Sequence, residues 1–457
     1  MVIKHIMVLL FLVFRLSSAT VTYNVQIFGA KPDGRSDSKN AFLKAWSLSC
    51  NSTSPASIYV PAGRYLIASA LTFSGQGCKS RAITFNIAGT LVAPSSYNAI
   101  GNALVWIKFY IVKNVTINGG TLDAQGSSLW ACKTSGKACP KGSTVRPYTS
   151  TNLHRVFTLG FYHSQNIVIS KLRSLNSQMF HMLLYSCKNA KIQGVSIVAP
   201  GLSPNTDGIH LTYSTGITIL SSKISTGDDC VSIGPGNSNI WIEKVVCGPG
   251  HGISESSPSR ARALESSNRA ELELKLSYVK RARARAWSSS GSARLVCTPK
   301  FIHLISGCSI GSLGWEREEP GVQNVTVKTT TFVGTTNGLR IKAWARSSNG
   351  FVNGVYFKGA TMMNVKFPII IDGKYCPNNN NCPNEASGVK ISNVMYENVH
   401  GTSATRVAVK FDCSKGNPCR GIVLKDVDLK FGGQPANSSC SYAAGTASGL
   451  LRPTSCL

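Results

Sequence analysis

The chain has 457 residues, a formal charge of +28 and 15 cysteines. Such a charge excludes a surface suited to basic partners and favours polyanions: nucleic acid, anionic membrane or acidic polysaccharide. Only nine apolar residues run together near the start, Ile6 to Phe14, and no later apolar segment approaches the roughly 20 needed to cross a bilayer, so no membrane partner is expected.

In chain order, residues 1–19 come first: Lys4, the apolar run, then Ser17-Ser18-Ala19, the order of a cleaved secretory signal. The mature chain is expected to begin near Thr20, to be secreted, and to keep a charge of +26 once Lys4 and Arg15 are gone. The secretory route selects acidic polysaccharide among the polyanions and leaves nucleic acid aside. It also permits disulfides, for which the short-range pairs are Cys132 with Cys139, Cys230 with Cys247, Cys376 with Cys382 and Cys413 with Cys419. Cys50 with Cys78 and Cys440 with Cys456 are longer pairings; Cys187, Cys297 and Cys308 have no assigned partner. Asn51, Asn114, Asn324 and Asn437 open N-x-S/T sequons compatible with glycosylation.

Asp37 followed by Ala41, Phe42, Ala45 and Trp46 predicts a capped amphipathic helix suited to closing one end of a larger structure. Beyond it, one short unit recurs: an Asn or Gly followed by an alternating β-branched strand. It is seen at Asn114, Asn166, Asn189, Gly216, Asn239, Asn324, Gly354, Gly388 and Gly421. Asn and Gly tolerate the left-handed backbone of a sharp turn, and the residues after them suit a pleated, half-buried strand. From Asn166 the spacings are 23, 27, 23, 85, 30, 34 and 33 residues, all but one in the range of a solenoid coil. The expected fold is all-β: a single-stranded parallel β-helix of about ten coils over residues 20–457, capped by the short N-terminal helix and self-sufficient as a monomer.

The long spacing marks a foreign segment. Setting aside residues 254–308 reduces 85 to 30 and joins His251-Gly-Ile to Ser309-Ile-Gly-Ser-Leu-Gly. The removed piece carries ten Lys/Arg against four Glu and runs such as Lys280-Arg-Ala-Arg-Ala-Arg. A retained intron is the first explanation and a long surface loop the second, since structureless loops of this length are uncommon inside compact domains.

Three motifs hold the chemistry: Asn205-Thr-Asp207-Gly-Ile-His210, Thr226-Gly-Asp228-Asp229-Cys230 and Gly248-Pro-Gly-His251. Asp207 precedes Asp228 by 21 residues and Asp229 precedes His251 by 22, about one coil each. Residues one coil apart stack about 4.8 Å apart, so three carboxylates and an imidazole should share one face. Carboxylates this close repel one another, which keeps one protonated as a general acid while another stays ionised as a base. A calcium site is the other use of clustered acids, but it wants six or more oxygens and gains little from a histidine. Further on, Gly338-Leu-Arg340-Ile-Lys342 puts two cations on one strand face, able to clamp a carboxylate on the substrate.

These four motifs, in this order, resemble those of the polygalacturonases, glycoside hydrolase family 28. So do the opening Phe28-Gly-Ala-Lys-Pro-Asp-Gly and the stretch Ile58-Tyr-Val-Pro-Ala-Gly-Arg-Tyr. The resemblance implies a right-handed β-helix and inverting hydrolysis of α-1,4 galacturonosyl bonds in pectin, without cofactor or metal. Asp228 would be the acid, Asp207 and Asp229 would activate water, and His251 would assist. Asn205, Arg340, Lys342 and Tyr375 would bind the substrate. The family usually has Gln at the position of Gly373. A pectate lyase, which would need calcium and an arginine base, is the rival enzyme. A catalytically impaired pectin-binding wall protein, disabled by residues 254–308, is the alternative of another class.

Overall fold

The computed structural model describes residues 20–100, 103–135, 139, 156–248, 308–376, 382–383 and 385–457. From Asn114 onward each coil opens on a residue held in the left-handed region, among them Asn114, Asn166, Asn189 and Asn239 at φ 55°, Asn324 at 54°, and Gly216 and Gly354 at 68°. The strand that follows alternates. Gln165–Ser170 buries Ile167 and Ile169 and turns Val168 outward. The asparagines also form a ladder, with Asn166 Nδ2 donating to Asn114 Oδ1 at 2.9 Å and Asn324 Nδ2 to Asn239 Oδ1 at 3.3 Å. Gly216 takes one rung because a Cβ there would sit 2.7 Å from Asn189 Oδ1.

One expected rung is misplaced. In the coil after Gly354 the left-handed residue is Asn393 (φ 54°), and Asn353 pairs with Ser392, so Gly388 lies ahead of the turn. Gly388-Val-Lys-Ile alternates as the other openings do, but it belongs to the approach to the strand. Gly388 is there to pass the backbone of Ser348, which a Cβ would strike.

The coils stack into two parallel sheets. The shorter has eleven strands, from Leu71–Ser74 through Ile209–Thr212, Val231–Ile233, Cys308–Leu313 and Asn337–Trp344 to Asn437–Ser441. Its inward row runs in register from Ile107 through Leu159, Met182, Ile209, Val231, Cys308, Leu339 and Ile369 to Val409. A matching inward row of the longer sheet, Ile117, Ile169, Ile192, Ile219, Ile242, Val327 and Phe357, completes the core between them. Parallel pairing is slow to form and must be buried on the inner face, which these unbroken apolar rows accomplish. The expected right-handed parallel β-helix is the fold.

Helix α1 (Lys39–Asn51) closes the first coil, burying Phe42, Ala45 and Trp46. Trp46 packs on Phe73, Phe85 and Phe109 at centroid distances of 5.1–6.0 Å. The N-cap is Ser38, one residue later than predicted; Asp37 accepts from the backbone of Lys39 and Ala68 instead. The disulfides Cys50–Cys78, Cys132–Cys139, Cys230–Cys247, Cys376–Cys382, Cys413–Cys419 and Cys440–Cys456 are all formed. Cys187 and Cys308 are buried thiols, pushed up to about 12 by burial; Cys297 lies outside the described residues.

The register also locates the anomalous stretch. One coil passes from Ile224 to Val231 and a later one from Phe332 to Leu339, seven residues each, whereas the coil between them goes from Cys247 to Cys308, 61 residues. Cys308 stacks on Val231 and under Leu339 as a normal rung. The solenoid therefore continues in register on both sides of the excess.

Candidate active site

The turns before Ile209–Thr212 and Val231–Ile233 are locked together by small polar residues. Thr206 Oγ1 lies 2.7 Å from Ser203 Oγ and accepts from Gly227 N at 2.8 Å. Gly227 is required because a Cβ would collide with the carbonyl of Ser203. Asp207 O accepts from His181 N and Asp229 O from Gly208 N, each at 2.8 Å. With Ile209 paired to Val231, this register stacks Asp229 over Asp207. Counting coil lengths placed Asp228 there; the true step is 22 residues, and Asp228 is displaced by one.

The three carboxylates are buried, 1–2 % exposed, and each has an oxygen within 4.8 Å of the others. Asp229 is fully engaged: Oδ1 accepts from Ser309 Oγ at 3.1 Å and Oδ2 from Lys342 Nζ at 2.9 Å. Asp228 Oδ1 accepts from Asp229 N at 2.7 Å. Asp228 Oδ2 and Asp207 Oδ1 are buried and have no hydrogen-bond partner among the described residues. Asp207 Oδ2 lies 3.8 Å from His210 Nδ1, whose ring stacks on Phe180. Such a trio has the donors for a small cation, but Lys342 already supplies a positive charge against Asp229.

Environment separates the carboxylates. Burial, then the charges of Asp207 and Asp229, hold Asp228 well above the usual carboxylate range, against the pull of Lys342. Burial also raises Asp207, with His210 opposing. Burial works against the charge on Lys342, but Asp229 overrides it and the ammonium stays above the ordinary lysine value. The site thus sets a carboxyl held well above the usual range beside a carboxylate fixed by an ion pair.

Arg340 and Lys342 share the strand Asn337–Trp344 and are 4 and 5 % exposed. Arg340 pairs with Asp372 at 2.8 Å, and both cations lie 5.2–5.3 Å from the ring centroid of Tyr375. Tyr375 is buried and stacks edge-on to Trp344. Beside it, Gly373 abuts Asp412 O, which a Cβ would approach to 2.7 Å, so a side chain there is disfavoured. Asn205 (φ 61°) accepts from Lys133 Nζ at 3.1 Å. His251 lies outside the described residues. Sequence reasoning missed Ser309, Asp372 and Lys133. Ser309 stands one rung from Arg340 and Asp372 one rung from Lys342, positions that register alone reveals.

The family model for glycosyl hydrolases family 28 matches residues 50–270 and 290–450, its one break falling inside the anomalous stretch. A polygalacturonase from Prunus persica is 52 % identical over 452 residues, covering 98 % of this chain and 97 % of that relative. An exopolygalacturonase from Platanus acerifolia is 35 % identical, covering 96 and 98 %. Among solved structures, endo-xylogalacturonan hydrolase from Aspergillus tubingensis superposes with a TM-score of 0.69 at 19 % identity, covering 94 % of this chain and all of that one. The polygalacturonase from Erwinia carotovora ssp. carotovora gives 0.57 at 22 %, covering 94 and 97 %. These two share the β-helix architecture. The near full-length identity, the family match on both sides of the excess and the clustered carboxylates agree: this chain belongs to glycosyl hydrolases family 28.

Proposed function

We propose that the chain hydrolyses the α-1,4 bonds of polygalacturonate, the backbone of pectin; its relatives are named polygalacturonase and exopolygalacturonase. The observation that carries the mechanism is the contrast between Asp228, buried with its Oδ2 unpartnered among the described residues and its carboxyl raised by burial and its acidic neighbours, and Asp229, held by Lys342 and Ser309. Asp228 gives its proton to the glycosidic oxygen as that oxygen leaves the anomeric carbon. A water between Asp207 and Asp229 gives up a proton to the carboxylates as its oxygen forms the new bond. Both oxygens of Asp229 are tied, which suits it to orient water and not to attack carbon itself.

Inverting acid and base groups commonly stand about 6.5–9.5 Å apart. Here the nearest oxygens approach within 4.8 Å, so stereochemistry is the direct test. Proton NMR of the first product formed from polygalacturonic acid should show the β-anomer at the new reducing end. An α-anomer would contradict the water-activating roles. An unsaturated product absorbing in the ultraviolet would indicate a lyase.

The same reading assigns His251 an assisting role and gives Asn205, Arg340, Lys342 and Tyr375 to the substrate. It takes residues 1–19 as a secretory signal, residues 20–457 as one monomeric catalytic domain, and the cell wall as the place of action. No described helix is long and apolar enough to cross a membrane. Asn51 and Asn437, both exposed and outside the asparagine ladder, are the sequons suited to glycosylation. Residues 254–308 are read as a retained intron, because the rungs on either side pass the same turn in seven residues.

A further inference from the structure

A short helix outside the solenoid repeat, α2 (Ser127–Thr134), lies on the same outward face as the carboxylates. Its Leu129 joins Val105, Phe157, Met179, Phe180 and Leu183 in a satellite cluster, and Leu183 is the register neighbour of His210. Trp130 Nε1 donates to Ser177 O at 3.1 Å, and Gly126 packs against the same carbonyl, where a Cβ would come within 2.7 Å. The Cys132–Cys139 disulfide adjoins the last turn. The helix is therefore fixed in place, and its last turn presents Lys133 to the site.

Lys133 is half-buried and has a neutral partner. Among the described residues its ammonium reaches the Asn205 amide oxygen at 3.1 Å and no carboxylate within ion-pair distance. An ammonium withdrawn from water without an anion is costly unless a ligand supplies one. Burial lowers it to about 8, with Asp228 and Asp207 opposing, so it is still cationic at neutral and acidic pH. Two of its three donors remain for a ligand.

Along the solenoid axis the carboxylates lie between two cationic stations. Lys133 stands at the Asn205 end, before Ile209–Thr212; the strand that carries Arg340 and Lys342 lies three rungs further, roughly 14 Å between backbones at about 4.8 Å per rung, with the Lys342 side chain reaching back to Asp229. We propose that Lys133 is a substrate-binding residue that receives a second uronate carboxylate, on a sugar on the opposite side of the cleaved bond from the one held by Arg340 and Lys342. The assignment rests on the polygalacturonate reading. It explains why a rigid helix delivers a cation to a site already rich in them, and why a polymer charged on every ring is held in one register.

The test is calorimetric binding of a galacturonate hexamer to Asp228→Asn protein, alone and combined with Lys133→Gln or Lys133→Arg. A fully methyl-esterified hexamer serves as the uncharged control. Loss of one charge-assisted contact should weaken the acidic hexamer by roughly tenfold or more in Lys133→Gln, with Lys133→Arg recovering most of it and the esterified hexamer unaffected. Equal weakening toward both hexamers would assign Lys133 a structural role and overturn the proposal, as would unchanged affinity for the acidic one. In the active protein Lys133→Gln should raise KM and leave kcat within about threefold; a fall in kcat at constant KM would make Lys133 a regulator of Asp228 instead. If Asp228→Asn protein binds neither hexamer, the polygalacturonate reading fails first, and this one with it.

Discussion

On the outward side of the longer sheet, Lys358 and Lys425 both reach Glu397, at 3.0 and 3.2 Å, with about half of each lysine side chain exposed. On the outward side of the shorter sheet, Lys342 reaches Asp229 at 2.9 Å, with 6 and 2 % of the two side chains exposed. The contacts are nearly equal in length and differ in water. The exposed pairs are screened, contribute at most about 1 kcal/mol and leave chemistry alone. The buried pair interacts strongly, must be complete to be tolerated, and displaces the protonation of its neighbours. One repeat thus yields a solvated wall and a wall of buried charge, according to what covers each.

The largest effect that would sharpen this contrast is at the acid. Asp228→Asn should lower kcat by roughly 10²–10⁴ while oligogalacturonate binding persists. Loss of binding to the same extent would mean that Asp228 serves the structure instead.

Next comes the pair itself. Lys342→Met should destabilise the protein by about 3–5 kcal/mol, because it leaves Asp229 buried without its counter-charge. Lys358→Met in the same denaturant titration should change stability by less than about 1 kcal/mol and leave activity intact. Equal losses would erase the distinction between the walls. A smaller step is Ser309→Ala, which removes one hydrogen bond to the Asp229 carboxylate, about 1.5–3 kcal/mol, and should reduce kcat by roughly tenfold.

The smallest effect is on stability against pH. Burial and its neighbours raise Asp228 above its unfolded value of 3.8, and burial raises Glu319 from 4.5 to about 7. In both cases the folded state keeps the proton that the unfolded state loses first, so stability falls as pH rises through these intervals. Buried His181, lowered from 6.5 to about 3, opposes this trend, so the effect is read as a difference between proteins: from pH 4.5 to 7 the thermal midpoint of Glu319→Gln should gain on that of the parent, and Asp228→Asn should gain on it as pH rises above 3.8, whereas differences that stay constant with pH would contradict the assignment.

Much of this arrangement could be read from residues alone, for physical reasons that also mark where the reading stopped. Asn114, Asn166 and Asn239 announce the coils because few residues accept the left-handed turn, and the Asp207, Asp228 and Asp229 motifs stand out at coil spacing in a chain poor in acids. Register was less legible. Spacing could not tell whether Asp228 or Asp229 stacks on Asp207, since one residue of turn length decides it, and Gly388 mimicked a rung because its flanking residues alternate as well. Lys133, Ser309 and Asp372 escaped for another reason. Each is ordinary in its local sequence and acquires meaning only from a partner 72, 80 or 32 positions away.

The central claim is that a continuous solenoid, in register across the excess residues, presents a working acid and base. Reducing-end release from polygalacturonic acid without added calcium tests it, comparing the chain as written, a chain lacking residues 254–308, and the shortened chain with Asp228→Asn. The account predicts release by the shortened chain and its loss in the Asp228→Asn form. Absence of release from both the full and shortened chains, with both folded by circular dichroism, would contradict it.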